Sequence, residues 1–151
     1  MREILFRGKR IDNGKWIEGL LHYSHGQGVW AITCSNGWIP SYSNPDEGEH
    51  TMFFDIIPET VCQFTGLTDK KRVKIFEGDI CRVEYYNHAS KNIVKIQEVS
   101  FQDGTFVLRS KDIDDSISIE ESRSLAPIFW VYPPNKIEII GNIHDNPELL
   151  K

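Results

Sequence analysis

The feature that most constrains this chain is a recurring turn signal between short runs of apolar and β-branched residues. Asn13-Gly14, Asn36-Gly37 and Asp103-Gly104 each stand between two strand-like segments. Asn-Gly readily supplies the positive φ angles of a type I′ turn, so the step at Asn13-Gly14 predicts a β-hairpin, and the other two steps predict further turns. No segment keeps a 3.6-residue periodicity. The chain is therefore predicted to be mainly β, with little helix.

A sharp corner is predicted at Glu77-Gly78-Asp79, because Gly78 supplies the backbone freedom. We expect Asp79 to accept hydrogen bonds from nearby backbone amides there. The run from Ile80 to Tyr85 alternates an apolar face with a polar one, as a half-buried antiparallel strand does. The next strand is expected at residues 93–99, with Lys95 and Gln97 facing outward.

The spacing of these strands indicates two regions. Residues 61–151 are predicted to form a small SH3-like β-barrel domain that ends in a short tail, and residues 1–60 a smaller β unit packed on it. A chain of 151 residues buries roughly two-thirds of its unfolded surface, so this fold needs no disulfide or metal to hold it together.

Composition limits the kinds of partner that this chain can bind and the compartment in which it is expected. The net charge of −5 argues against a general polyanion binder, although it leaves room for a local basic patch. The three cysteines, Cys34, Cys62 and Cys81, show no zinc-ligand spacing and are expected to be reduced thiols. The amino terminus lacks the apolar run of a signal peptide, and no apolar stretch is long enough to span a bilayer. We therefore expect a soluble cytoplasmic protein without cofactor, metal or membrane contact.

Four blocks of the sequence, at both ends and in the middle, form a specific pattern. They are Ile4-Leu5-Phe6-Arg7-Gly8-Lys9-Arg10 with Asn13 to Gly19, then Pro58 to Leu67, then Ile75 to Ile80, and finally Ile139 to Leu150. In this order they resemble the YopX family of phage and prophage proteins. The chain departs from the pattern at Cys62, where a small residue is expected.

The resemblance implies a phage-encoded protein that acts in a bacterial cytoplasm. It implies a β-rich fold with an SH3-like barrel and a tendency to form homo-oligomers. It brings no established activity and no catalytic residues to transfer to this sequence.

Basic side chains are concentrated in one stretch, Lys70, Lys71, Arg72 and Lys74. Such a stretch could contact phosphates, and aromatic rings at Tyr85, Tyr86 or Trp130 could stack on bases. The alternative is a solvated loop between two strands, which is the more frequent role of such a loop.

Aromatic residues near the end of the chain, Phe129, Trp130 and Tyr132, could form an exposed apolar ridge and hence an interface. His22 and His25 are expected to be solvated rather than metal ligands. Glu77 and Asp79 are expected to belong to the turn rather than to perform acid–base chemistry.

Three hypotheses about function remain. The first is a non-enzymatic accessory protein that acts through contacts with its own copies and with a host or phage protein. The second is a nucleic-acid-binding module that uses the loop at residues 70–74. The third is an enzyme with an unfamiliar site, which requires a concave pocket with perturbed titratable groups.

Overall fold

The chain is mainly β in the computed structural model, which describes residues 3–26, 28–34, 52–86, 92–110, 125–127 and 136–151. In chain order the strands are β1 (Phe6–Lys9), β2 (Trp16–Ser24), β3 (Val29–Cys34), β4 (Met52–Asp55), β5 (Cys62–Thr68), β6 (Lys74–Phe76), β7 (Asp79–Tyr86), β8 (Asn92–Gln102), β9 (Thr105–Arg109), β10 (Leu125–Pro127) and β11 (Ile137–Asn142). Short 3₁₀ helices cover Pro58–Thr60 and Pro147–Leu150. The predicted fold class is confirmed.

The chain divides into two compact units, Met1–Gln63 and Phe64–Lys151. Strand β5 begins in the first unit and ends in the second. The predicted division into a small β unit at residues 1–60, packed on a barrel domain at residues 61–151, stays a prediction, and so does the SH3-like barrel. Within the described residues no helix is long and apolar enough to cross a membrane.

The first unit is an antiparallel sheet in the order β4-β3-β2-β1-β5. After β1 the chain bridges to the residue that follows β4, because Arg10 pairs with Ile56. Ile11 N–H donates to the Asp55 carbonyl at 3.0 Å and Ile57 N–H to the Lys9 carbonyl at 2.8 Å. The ends of β1 and β4 are therefore hydrogen-bonded to each other, in addition to the pairing of β1 with β2.

The predicted hairpin between β1 and β2 is confirmed, but its turn is not type I′. Gly14 has a φ of +67°, but the φ of Asn13 is not positive, and a type I′ turn needs a positive φ at both positions. Instead, Gly14 N–H donates to the Arg10 carbonyl at 3.0 Å, and the Asn13 side-chain oxygen accepts from Lys15 N–H at 2.9 Å. The loop is therefore longer than the two residues of a type I′ turn, because Asn13 holds it with a side-chain bond.

Backbone packs unusually close to backbone inside the first unit. A Cβ atom on Gly19 would lie 1.9 Å from the Thr33 carbonyl oxygen, and one on Gly8 would lie 3.0 Å from Ile56 Cδ1. Ile32 and Ile56 are fully buried at this place. Two strands thus approach within a distance that only glycine permits.

In the second unit β5 pairs with β6, and a separate antiparallel sheet has the order β10-β9-β8-β7-β11. Its core is one cluster of buried side chains: Ile75, Cys81, Val83, Val99, Phe106, Leu108 and Ile137. Asp103 and Gly104, with φ values of +49° and +79°, are the two turn residues between Gln102 at the end of β8 and its partner Thr105 at the start of β9. This turn prediction is confirmed, and both angles fit type I′.

The predicted alternation in β7 is confirmed, since Cys81 and Val83 are buried while Arg82 is exposed. The outward prediction for Gln97 in β8 is wrong. Gln97 pairs with Cys81 and is 1% exposed, and its amide donates to Ser110 Oγ at 3.0 Å. It faces inward because residues directly opposite each other on antiparallel strands point to the same side.

Replacing Gly19 with alanine should destabilise the protein by about 3 kcal/mol or more, because the new methyl group meets a backbone carbonyl that no rotamer change can move. Urea denaturation followed by circular dichroism measures this. Gly26→Ala is the matched control, since a Cβ atom there meets nothing within 4 Å. Equal midpoints for the two variants would show that the β2–β3 approach is not as close as described.

Candidate functional site

The basic stretch predicted from the sequence lies in a loop organised by Asp69. This carboxylate is 2% exposed. Its Oδ1 atom accepts from Lys71 N–H at 2.8 Å and from Val73 N–H at 2.9 Å, and Oδ2 accepts from Ile139 N–H at 3.3 Å. Asp69 therefore closes the loop and attaches it to β11.

The same attachment brings two of the predicted cations onto one carboxylate. Lys70 Nζ lies 2.6 Å and Lys71 Nζ 2.9 Å from the two side-chain oxygens of Glu138 on β11. These hydrogen bonds lower the pKa of Glu138 from 4.5 to about 2, and the bond to Glu138 raises the pKa of Lys71. Glu138 thus offsets part of the loop's positive charge.

The other two cations of the loop occupy different surroundings. Arg72 is exposed and has a φ of +64°. Lys74, at the start of β6, places its ammonium 5.9 Å from the centre of the Phe64 ring. Nucleic-acid contact by this loop stays a prediction, and Glu138 reduces the electrostatic attraction that such contact needs.

Glu138 is not among the residues that the sequence predicted for this site. It lies in the final strand, more than sixty residues from the lysines, so no local spacing indicates the contact. The available signal was that Glu138 is the one charged residue in the otherwise apolar run Ile137–Ile140. A charge on such a strand needs a solvent-facing position or a partner.

The carboxylates at the β6–β7 corner behave as the turn hypothesis expects. Asp79 is 1% exposed and accepts from Phe76 N–H at 2.8 Å. Gly78, with a φ of +75°, donates its N–H to the Val99 carbonyl at 2.7 Å. Asp79 is held by the fold, and this arrangement explains it without acid–base chemistry.

One carboxyl group in the second unit has a raised pKa. Burial raises the pKa of Glu98, and the nearby charge of Glu77 raises it further, while Arg109 opposes the shift. Glu98 pairs directly with Arg109 across β8 and β9. This pairing places the two side chains on the same face of the sheet, which accounts for the effect of Arg109 on the pKa of Glu98.

The two histidines contact different rings. His22 lies on β2 with its ring 5.3 Å from that of Phe53, and His25 lies 4.9 Å from the ring of Tyr23. In the part of the chain that the structure describes, no group of three metal-ligating side chains occurs. The predicted ridge of Phe129, Trp130 and Tyr132 lies outside the described residues. So does Asn36-Gly37.

Apolar side chains are exposed on the outer face of the first unit. Leu20, Thr33 and Phe53 form one row across β2, β3 and β4. Leu20 is 57% exposed and Phe53 54%, and His22 packs against the Phe53 ring. We call Leu20, His22, Thr33 and Phe53 the outer patch. The outer patch was not predicted from the sequence, although Leu20 alternates in phase with Glu18 and His22.

A second exposed apolar pair lies on the other unit. Val94 is 44% exposed and Ile96 39%, both on β8. They point outward because the neighbouring Gln97 points inward. Single exposed apolar residues are ordinary, whereas clusters on a sheet face mark contact surfaces.

Comparisons with known proteins give one family and one fold. The family model described as YopX protein matches residues 5–151. The chain is also similar to the crystal structure of protein EF1440 from Enterococcus faecalis, with 22% identity, a TM-score of 0.53 and full coverage of both chains. At this identity the likeness concerns the fold. The sequence matches none of the curated proteins.

The pKa of Glu138 predicts how acid affects stability. Because this pKa is lower in the folded chain than its ordinary value of 4.5, the carboxylate stabilises the fold above about pH 4.5, and the contribution is lost as the pH falls toward 2. In Glu138→Gln the decrease in urea midpoint between pH 5 and pH 2.5 should be smaller than in the unaltered protein. Glu59→Gln, an exposed carboxylate in the first unit, is the control. An equal decrease in all three proteins would contradict the ion pair.

The nucleic-acid hypothesis predicts a gain of binding when Glu138 is replaced. If the loop binds phosphates, Glu138→Gln should tighten binding, because two lysines lose their carboxylate partner, and Arg72→Gln with Lys74→Gln should weaken it. Fluorescence anisotropy with labelled single-stranded DNA and RNA in 50 mM and 200 mM salt measures both effects. No binding of any variant in 50 mM salt would remove this hypothesis.

Proposed function

Because the chain belongs to the YopX family, we propose that it is a non-enzymatic accessory protein of a phage or prophage that acts through protein–protein contacts. The contacts include self-association and binding to a host or phage protein in the bacterial cytoplasm. The family resemblance supplies the phage setting, and the surface of the two units supports the mode of action.

The observation that carries this proposal is the exposure of apolar side chains at sheet positions that face solvent. In the first unit Leu20 and Phe53 each leave more than half of their surface exposed, and in the second unit Val94 and Ile96 leave more than a third. Burying such side chains against a partner releases roughly 25 cal/mol for each Å² removed from water. Contact surfaces have this composition at their centres.

The titratable groups support a binding role over an enzymatic one. The hydrogen bonds to Lys70 and Lys71 lower the pKa of Glu138, the bond to Glu138 raises the pKa of Lys71, and burial raises the pKa of Glu98. Within the described residues, each shifted pKa therefore has a structural cause. An enzyme would need such groups to converge on a cavity, which is the observation that would favour the third hypothesis.

The proposal predicts a molar mass well above the 17.4 kDa of one chain. Size-exclusion chromatography with light scattering, over loading concentrations from about 1 μM to about 500 μM, should show a mass that increases toward a fixed multiple, because association follows mass action. A mass of one chain throughout this range would contradict self-association. Repeating the series in 50 mM and 500 mM salt separates apolar contacts from ionic ones, since salt screens only the latter.

A further inference from the structure

Four side chains form a compact group on the outer face of the β7–β8 hairpin. Arg82 pairs directly with Ile96, and Glu84 pairs directly with Val94. We call these four residues the quartet. Directly paired residues point to the same side of a sheet, and residues two apart on a strand do so as well. The quartet therefore consists of two adjacent rows, each with one charged and one apolar side chain. Glu138 on β11, which also pairs directly with Arg82, continues the first row on the other side of β7 and holds Lys70 and Lys71.

The quartet faces away from the core of the second unit. The intervening residue Val83 is fully buried in that core, and so is Cys81. Arg82 is exposed, Val94 is 44% exposed and Ile96 is 39% exposed. Two apolar side chains thus lie beside two opposite charges on a surface that water reaches.

Part of the same face is already covered by the chain itself. The C-terminal 3₁₀ helix contacts β8, and a Cβ atom on Gly141 would lie 2.8 Å from Leu149 Cδ1. Ile80, which occupies the same face one row before Arg82, is fully buried. The quartet follows this covered row, so a partner seated on it would extend a face that the chain has begun to cover.

We infer that the quartet is a surface through which two copies of this chain associate, an inference that rests on the proposed function. A two-fold axis that is parallel to the sheet, perpendicular to its strands and between the two rows exchanges one row with the other. It places Arg82 over Glu84 of the second copy, and Glu84 over Arg82 of the second copy. The same rotation places Ile96 over Val94 of the second copy, and the reverse.

The charge pattern selects a second copy as the partner. A two-fold contact requires a surface that is complementary to itself. Here one rotation satisfies both ionic contacts and both apolar contacts, and the sheets pack face to face at about 10 Å with their strands aligned. A pattern with both charges in one row would instead place each charge over an apolar side chain under this rotation. The ionic contacts fix the register, while the apolar pair supplies the buried area.

The test uses charge reversal at two positions. Arg82→Glu and Glu84→Arg should each weaken self-association by roughly tenfold or more, because each turns two attractions into two repulsions. An equimolar mixture of the two single variants should associate again, since both ionic contacts then join opposite charges in the mixed dimer. The double variant should associate as well as the unaltered protein. Sedimentation velocity gives each dissociation constant.

Controls separate this inference from the proposal on which it rests. Lys15→Glu, an exposed charge in the first unit, should leave the dissociation constant unchanged, and circular dichroism verifies that every variant is folded. If the unaltered protein stays monomeric, self-association itself is refuted. If the unaltered protein associates and both single variants associate equally well, the quartet is refuted as the surface while self-association stands.

Discussion

The buried carboxylate of Asp69 is the interaction on which the organisation of the second unit depends. It accepts three backbone N–H groups, from Lys71, Val73 and Ile139, and so ties the loop after β5 to the final strand. Leaving a buried donor without its acceptor costs about 1–3 kcal/mol, and loss of this carboxylate would leave three donors without theirs. The tight loop also explains the left-handed conformation of Arg72, whose N–H donates to the Asp69 carbonyl at 2.9 Å.

The position of this loop determines the electrostatics of the candidate site. Because Lys70 N–H bonds to the Ile137 carbonyl at 2.9 Å, the loop runs beside β11, and its lysine side chains meet Glu138. A basic stretch that looks available to phosphates in the sequence therefore has a carboxylate partner in the fold. The ion pair is partly exposed, and pairs of this kind contribute modestly to stability. Its larger effect is on the surface potential, which it makes less positive.

The features that sequence reasoning predicted well are those determined within a few residues. The Asp103-Gly104 turn and the Asp79 corner each depend on residues at most four apart, and both occur as expected. The Asn13-Gly14 turn failed in its type because a side-chain bond from Asn13 competed with the two-residue geometry. Glu138 and Gln97 could not be placed locally, since each depends on a strand that is distant in the sequence. Strand β8 alternates ambiguously, with polar and apolar residues on both of its faces, so its pattern alone did not decide which face is buried.

The orientation of β8 follows from the turn at its end. A two-residue turn fixes the pairing of Gln102 with Thr105, and this register carries Val99 opposite Leu108 in the core. With Val99 inward, the period of two obliges Gln97 to point inward and Ile96 to point outward. The amide of Gln97 finds Ser110, which offsets the burial of a polar group. Ile96, in the row it shares with Arg82, stays 39% exposed to water. A strand register chosen by a strong turn and a packed core thus leaves an apolar residue on the surface, and a partner that covers Ile96 is the remaining way to remove it from water.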